Sequence, residues 1–254
     1  MSKRAEADRN VEGRMQGRFI ALEGPDGVGK STLAARLGHL TYPAAVARLG
    51  ADGAERELVF VSRRQISATS TYAADLMRQL STVLWHSGDA PDLPDAFWVG
   101  VQAAWFTAHA TTVVQPLLTA GYDVIVDGWT YKFFSKLLLQ GYTDTDLQTI
   151  FRRVRMPDAV VLLTADIGAL YDRRQARFRP AELGMHAGYT ALSRDTFIDY
   201  QQQGLDNLLT YAARHGWCTV ALDPGSSIEA CVSTLAPVIS EIRAATRGSA
   251  TRRP

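Results

Sequence analysis

The chain has 254 residues, 46% of them hydrophobic and 21% charged, with a formal net charge of +1 at pH 7. That composition suits one α/β domain with a sizeable core, and so even a charge gives no whole-molecule field to attract nucleic acid or an acidic membrane. Cys218 and Cys231 are too few for a disulfide framework, and no Cys/His spacing matches a metal site.

The first eighteen residues carry Lys3, Arg4, Glu6, Asp8, Arg9, Glu12 and Arg14 and lack the apolar stretch of a signal peptide. No apolar run approaches the roughly 20 residues that span a bilayer. The expectation is a soluble cytoplasmic protein: a disordered extension over 1–17, a single domain over 18–245 and a flexible tail over 246–254. Short strands alternate with helical stretches. A strand at 18–23 runs into a glycine-rich turn and a helix at 31–40. A strand at 57–62 precedes a helix at 67–86, with Leu76, Leu80, Val83 and Leu84 at helical spacing. A loop rich in Gly, Asp and Pro (88–94) separates it from another long helix, which ends near Ala120 before the stop signal of Gly121. Strands follow at 123–127 and 158–164, helices at 167–177 and 189–215, then a strand at 217–222 and a helix at 227–245. The strands are mainly consecutive apolar residues, as in strands buried on both faces. The pattern predicts an α/β fold of three layers, a five-stranded parallel sheet with helices on both faces.

Gly24-Pro25-Asp26-Gly27-Val28-Gly29-Lys30-Ser31 matches GxxxxGK[ST] and lies between a strand and a helix, as that motif requires. Glycines let the backbone wrap closely round a phosphate, and the following helix presents free N–H groups and its positive dipole end to the anion. Lys30 is placed to reach the β- and γ-phosphates of ATP, Ser31 to ligate Mg²⁺, and Thr32 follows in the same cradle. The chain has no Asn-Lys-x-Asp guanine motif and no Leu-Ser-Gly-Gly-Gln transporter signature. A small-molecule P-loop kinase is therefore expected.

The run from Phe19 to Thr32 closely resembles the opening of the thymidylate kinases, which commonly reads Phe-Ile-x-x-Glu-Gly-x-Asp-Gly-x-Gly-Lys-[Ser/Thr]-Thr. The resemblance continues more weakly, element by element. It implies that Arg63 or its neighbour Arg64 binds the acceptor's phosphate, that Asp26 orients the acceptor sugar, and that Asp127 holds Mg²⁺ or its water shell. A helix cap is the competing reading of Asp127. The family's Asp-Arg-[Tyr/Trp/His] motif reads Asp127-Gly128-Trp129 here, so its arginine has become glycine. The family's base-reading arginine on the preceding helix is also absent, because no arginine lies between Arg78 and Arg152. Ala103-Ala-Trp-Phe-Thr-Ala-His109 stands there instead. Phe106, His109, Trp129 and Lys132 are candidate acceptor-binding residues, with Lys136 a further basic candidate; for His109 an ordinary helix residue is the bland alternative.

Phosphoryl transfer needs positive charge on the moving group. Gly27 occupies the position where some thymidylate kinases carry a basic residue. Arg173, Arg174 and Arg177 lie instead where a mobile lid is expected, at about 173–188. A solvated basic helix end is the alternative there. The resemblance thus implies transfer of the γ-phosphate of MgATP to a nucleoside monophosphate, with dTMP leading. A kinase with a changed acceptor (a nucleoside or unusual nucleotide) and a non-catalytic nucleotide-binding regulator remain open. Small-molecule partners, no nucleic acid, no membrane and a homodimer carried over from the family complete the expectations.

Overall fold

A computed structural model of the chain describes residues 16–50, 57–86, 93–174 and 177–245. The expected extension (1–15), the expected tail (246–254), most of the 88–94 loop and residues 175 and 176 of the arginine-rich segment lie outside the described residues.

Among the described residues six strands form one sheet: β1 (Phe19–Glu23), β2 (Leu40–Thr41), β3 (Leu58–Val61), β4 (Asp123–Val126), β5 (Ala159–Thr164) and β6 (Cys218–Ala221). Their order is β2-β3-β4-β1-β5-β6 and every pairing is parallel. The expected five-stranded sheet is therefore corrected to six. The added strand is β2, which pairs Leu40 with Val59 and Thr41 with Phe60 at the sheet edge. Two residues are too few to show any period in a sequence. At the centre, every residue of β1 is fully buried, as a parallel strand covered on both faces requires.

Among the described residues ten α-helices cover the sheet: α1 (Lys30–Leu37), α2 (Tyr42–Val46), α3 (Thr71–His86), α4 (Asp95–His109), α5 (Gln115–Thr119), α6 (Thr130–Leu139), α7 (Asp144–Ile150), α8 (Ile167–Arg173), α9 (Arg194–His215) and α10 (Ile228–Ala244). One apolar layer gathers Val59, Trp105, Phe106, Leu117, Trp129 and Phe134; the other gathers Leu33, Ile125, Phe197, Leu205, Leu208 and Leu235. No helix among the described residues is long and apolar enough to cross a membrane.

Two local departures from the expected pattern have clear causes. The long helix before β4 passes through a π-helical turn at Ala110–Val114. Pro116 brings no N–H to the carbonyl of Thr112 one turn back, and its ring would crowd that carbonyl in an α-helix. The Thr112 oxygen instead accepts from the hydroxyls of Ser67 (3.1 Å) and Thr69 (2.7 Å). The helix expected from 189 begins only at Arg194. Gly188 sits at a φ of 86°, and Ser193 caps the helix by accepting from the N–H of Thr196.

Candidate active site

The phosphate loop leaves β1 at Glu23 and enters α1 at Lys30, at the carboxyl end of the parallel sheet, where α/β folds place their ligands. Gly24 has a φ of 143°, and a Cβ there would lie 2.3 Å from the carbonyl oxygen of Leu163. Only glycine fits that approach between loop and β5. Val28 is buried and anchors the loop in the layer beneath α1. Lys30 curls back inside the loop, and its ammonium donates to the carbonyls of Gly24 (2.7 Å) and Pro25 (2.6 Å). Burial, then the nearby Lys132 ammonium, pull the Lys30 pKa well below its ordinary value, against the opposing pull of Asp26 and Glu23. Thr32 follows Ser31 on α1 and is exposed.

Asp127, just past β4, ties three strand ends together. One carboxylate oxygen accepts from the Ser31 hydroxyl at 2.6 Å and the other from the backbone N–H of Arg63 at 2.7 Å. The Arg63 carbonyl in turn accepts from the Trp105 indole at 3.0 Å. The side chain of Arg63 then runs over Gly128, where an added Cβ would sit 3.8 Å from its Cδ. Arg64 lies with its guanidinium 4.7 Å above the Trp85 ring. Its pKa is lowered by burial and by the neighbouring charges of Arg63 and Arg179.

Asp26 is the centre of a second cluster. Lys132 and Lys136 stand one helical turn apart on α6, and both ammonium groups reach its carboxylate, Lys136 at 3.0 Å. Gln201 on α9 completes the set. Its Nε2 donates to the Asp26 carboxylate (3.1 Å) and its Oε1 accepts from the Asp26 N–H (2.9 Å). Burial raises the Asp26 pKa, but the Lys132, Lys136 and Lys30 cations outweigh it and hold the carboxyl well below its usual range. The same carboxylate raises Lys136 against its desolvation, while desolvation prevails at Lys132 and lowers it.

Phe106, His109 and Trp129 come together as a packed layer beneath Asp127, with at most 3% of any of them exposed. The Trp129 ring meets Phe106 at 4.9 Å and His109 at 5.4 Å. Its indole donates to the Arg155 carbonyl at 2.9 Å, and its backbone N–H donates to Glu23 at 2.9 Å. His109 Nε2 lies 3.0 Å from the Ser62 carbonyl, and burial lowers its pKa to about 4, so the ring is neutral and Nε2 is the donor. Glu23 is wholly buried and its pKa is raised by desolvation.

The arginine-rich segment lies against the loop. Arg173 donates to the carbonyls of Gly27 and, at 3.2 Å, Pro224. Arg174 pairs with Glu182 at 3.2 Å and rests 4.4 Å above the Phe178 ring, its Cδ close to Gly27. Arg177 is exposed. Glu182 also accepts from the Arg179 N–H at 2.8 Å, and Phe178 packs on Phe197 of α9 at 4.2 Å.

Glu23 and Gln201 belong to this constellation although the sequence pattern did not single them out. A readable trace of Gln201 exists: it falls on the apolar stripe of Phe197, Leu205 and Leu208, where a polar residue demands a buried partner.

A glycine-built loop, its inward lysine and a strand-end carboxylate bonded to the loop serine are the parts of a P-loop. No family model matches the chain. It is 28% identical over 220 residues to a thymidylate kinase of Synechococcus sp. (strain CC9605), an alignment spanning 84% of this chain and 93% of that protein. A thymidylate kinase of Leifsonia xyli subsp. xyli (strain CTCB07) is 28% identical over 195 residues, 70% of this chain and 83% of that one. Both likenesses are to thymidylate kinases, and they support reading the chain as a nucleoside-monophosphate kinase.

Proposed function

We propose that the protein transfers the γ-phosphoryl group of MgATP to a nucleoside monophosphate, with dTMP the leading acceptor. An oxygen of the acceptor's phosphate attacks the γ-phosphorus in line, the bond to the β–γ bridging oxygen breaks, and ADP leaves. The nucleophile is already anionic, so no general base is required and catalysis rests on positioning and charge. The observation that carries this reading is Asp127, whose two oxygens bring the Ser31 hydroxyl and the Arg63 backbone within hydrogen-bond reach of one carboxylate.

In this reading the loop N–H groups and Lys30 hold the β- and γ-phosphates. The Ser31 hydroxyl and Asp127 carboxylate are hard oxygen donors that suit Mg²⁺, an ion held at such sites by one or two protein oxygens together with phosphates. When bound, the ion supplies neutralisation of the phosphate charge. Arg63, crossing Gly128, and Lys132 face the acceptor's phosphate. The segment over about 173–188 acts as a lid, with Arg173 and Arg174 already on the loop and Arg177 at its exposed edge.

The test is ADP release from MgATP by the purified protein against a panel of nucleosides and nucleoside monophosphates, with product mass identifying the phosphorylated species. Turnover with a monophosphate that is abolished by Lys30→Ala supports the reading; an active protein that phosphorylates only nucleosides overturns it. A second reading, the same chemistry on a changed acceptor, is favoured by Gly128 and by the engagement of both Asp26 oxygens. Preference for any monophosphate other than dTMP would establish it.

A further inference from the structure

Gln201 makes three hydrogen bonds, and together they join two parts of the site that no other side-chain amide connects among the described residues. Its Oε1 accepts from the Asp26 N–H in the phosphate loop at 2.9 Å. Its Nε2 donates to the Asp26 carboxylate at 3.1 Å and to the backbone carbonyl of Glu182 at 2.9 Å. The orientation of the amide is dictated by its partners. A backbone N–H can only donate, so the oxygen must face it, and the nitrogen must face a carboxylate and a carbonyl that can only accept. Both donors and one acceptor of the amide are thereby used, on a residue with 4% exposure.

The Glu182 end of this bridge is the anchor of the arginine-rich segment. Glu182 pairs with Arg174 at 3.2 Å and accepts from the Arg179 N–H at 2.8 Å, in the turn just after the arginines. Arg174 in turn lies against Gly27, and Arg173 donates to the Gly27 carbonyl. The loop and the arginine-rich segment therefore touch directly at Gly27, and are tied a second time from behind by Gln201. The loop end of the bridge is a backbone N–H of the phosphate cradle. A change in the loop's backbone on taking up phosphate must be felt by the amide, and through its other bonds by Glu182.

We propose that Gln201 is a positioning residue that couples occupation of the phosphate loop to the seating of Arg174 and of the turn bearing Arg179 and Glu182. This deepens the kinase reading and rests on it for the chemical consequence. The coupling holds the arginines over the nucleotide only when the cradle is filled, and so keeps water from the γ-phosphorus until an acceptor is in place. Removing the bridge leaves the cradle and Lys30 intact but frees the segment. ATP still binds, phosphoryl transfer slows, and hydrolysis by water takes a larger share of the turnover.

The experiment uses Gln201→Met, which keeps the length and flexibility of the side chain and removes all three bonds. Leu208→Val serves as a packing control on the same helix. Two quantities are read. The first is the ratio of ADP released to acceptor phosphorylated. The second is hydrogen–deuterium exchange of the peptide spanning 178–189, with and without a non-hydrolysable MgATP analogue. In Gln201→Met the ratio should rise about 5-fold or more and the nucleotide-induced protection of that peptide should be lost, while Leu208→Val changes melting temperature alone. If folded Gln201→Met keeps both the wild-type ratio and the wild-type protection, the coupling is wrong even though the kinase reading stands. If the wild type phosphorylates no acceptor yet shows protection that the variant loses, the coupling stands and the kinase reading falls. Should Gln201→Met fail to fold, Gln201→Asn, one methylene too short to span both partners, is read by the same two criteria.

Discussion

His109 offers a sharp test of how the layer beneath the site is built. Its ring is 0% exposed, with Nε2 3.0 Å from the Ser62 carbonyl and Trp129 at 5.4 Å. Burial depresses its pKa from the usual 6.5 to about 4, while the Ser62 carbonyl and the Asp127 charge pull weakly the other way. A base whose folded pKa is depressed takes its proton in the unfolded chain first. Between pH 6.5 and about 4 the unfolded state therefore binds more protons, and stability falls as pH falls. The slope is about 1.4 kcal/mol per pH unit, which accumulates to about 3 kcal/mol across that window and then levels off. His109→Gln keeps an amide donor near the Ser62 carbonyl and cannot titrate. Urea unfolding of both proteins at steps from about pH 7.5 down to about pH 4 should show the wild type losing about 3 kcal/mol more than the variant. Carboxylates that titrate over the same range are common to both proteins and cancel in the difference. Curves that stay parallel within about 0.5 kcal/mol would refute the neutral, buried imidazole.

Three further outcomes follow from the same geometry. Gly24→Ala places a Cβ 2.3 Å from the Leu163 carbonyl at a φ of 143°, so both the melting temperature and ATP binding should fall, as scanning calorimetry and titration calorimetry would read. Asp26→Asn leaves Lys132 and Lys136 buried without their anion, a loss of about 3–5 kcal/mol in chemical unfolding. Because the Asp26 pKa is depressed, its contribution is present above the ordinary carboxylate pKa and disappears as pH falls through the lower folded value, so the variant should also lose part of the wild type's acid sensitivity below about pH 4. Arg177→Ala should lower kcat about 10-fold or more with ATP affinity within about 3-fold; an unchanged kcat would remove this exposed side chain from the transition state.

The phosphate loop was legible because its chemistry demands fixed residue types at fixed spacing, and the central strands because β1, β4 and β5 are nearly unbroken apolar runs. What the sequence pattern missed depends on contacts distant along the chain. Helix α6 reads Thr-Tyr-Lys-Phe-Phe-Ser-Lys-Leu-Leu-Leu; Lys132 and Lys136 stand out as basic candidates, but not the helix that seats both on Asp26. Gln201 stands first in a run of three glutamines whose other two members are exposed, and its partner Asp26 is 175 residues away. The burial of His109 likewise depends on Ser62 and Trp129, which come from two other segments of the chain.

The glycine at 128 has a structural counterpart that the sequence alone did not show. The space above it is crossed by Arg63, whose backbone is fixed by Asp127 on one side and by Trp105 on the other. A guanidinium can grip a phosphate with a planar fork, whereas an ammonium offers a compact point charge. Under the proposed function, Arg63 and the two lysines would supply positive charge to the acceptor with a single planar grip among them. The two ammonium groups share a single Asp26 carboxylate and lie near the buried Lys30, with the buried Glu23 also acting on Lys30 and Lys132, so basic groups outnumber acidic ones in the cluster. Buried charge in excess is costly until a counter-ion arrives. Under the proposed function that counter-ion is the substrate's own phosphate, and its binding relieves a penalty already present in the folded protein. The same excess explains why Asp26 is tied so firmly: without its carboxylate, three cations would crowd the loop before any nucleotide entered.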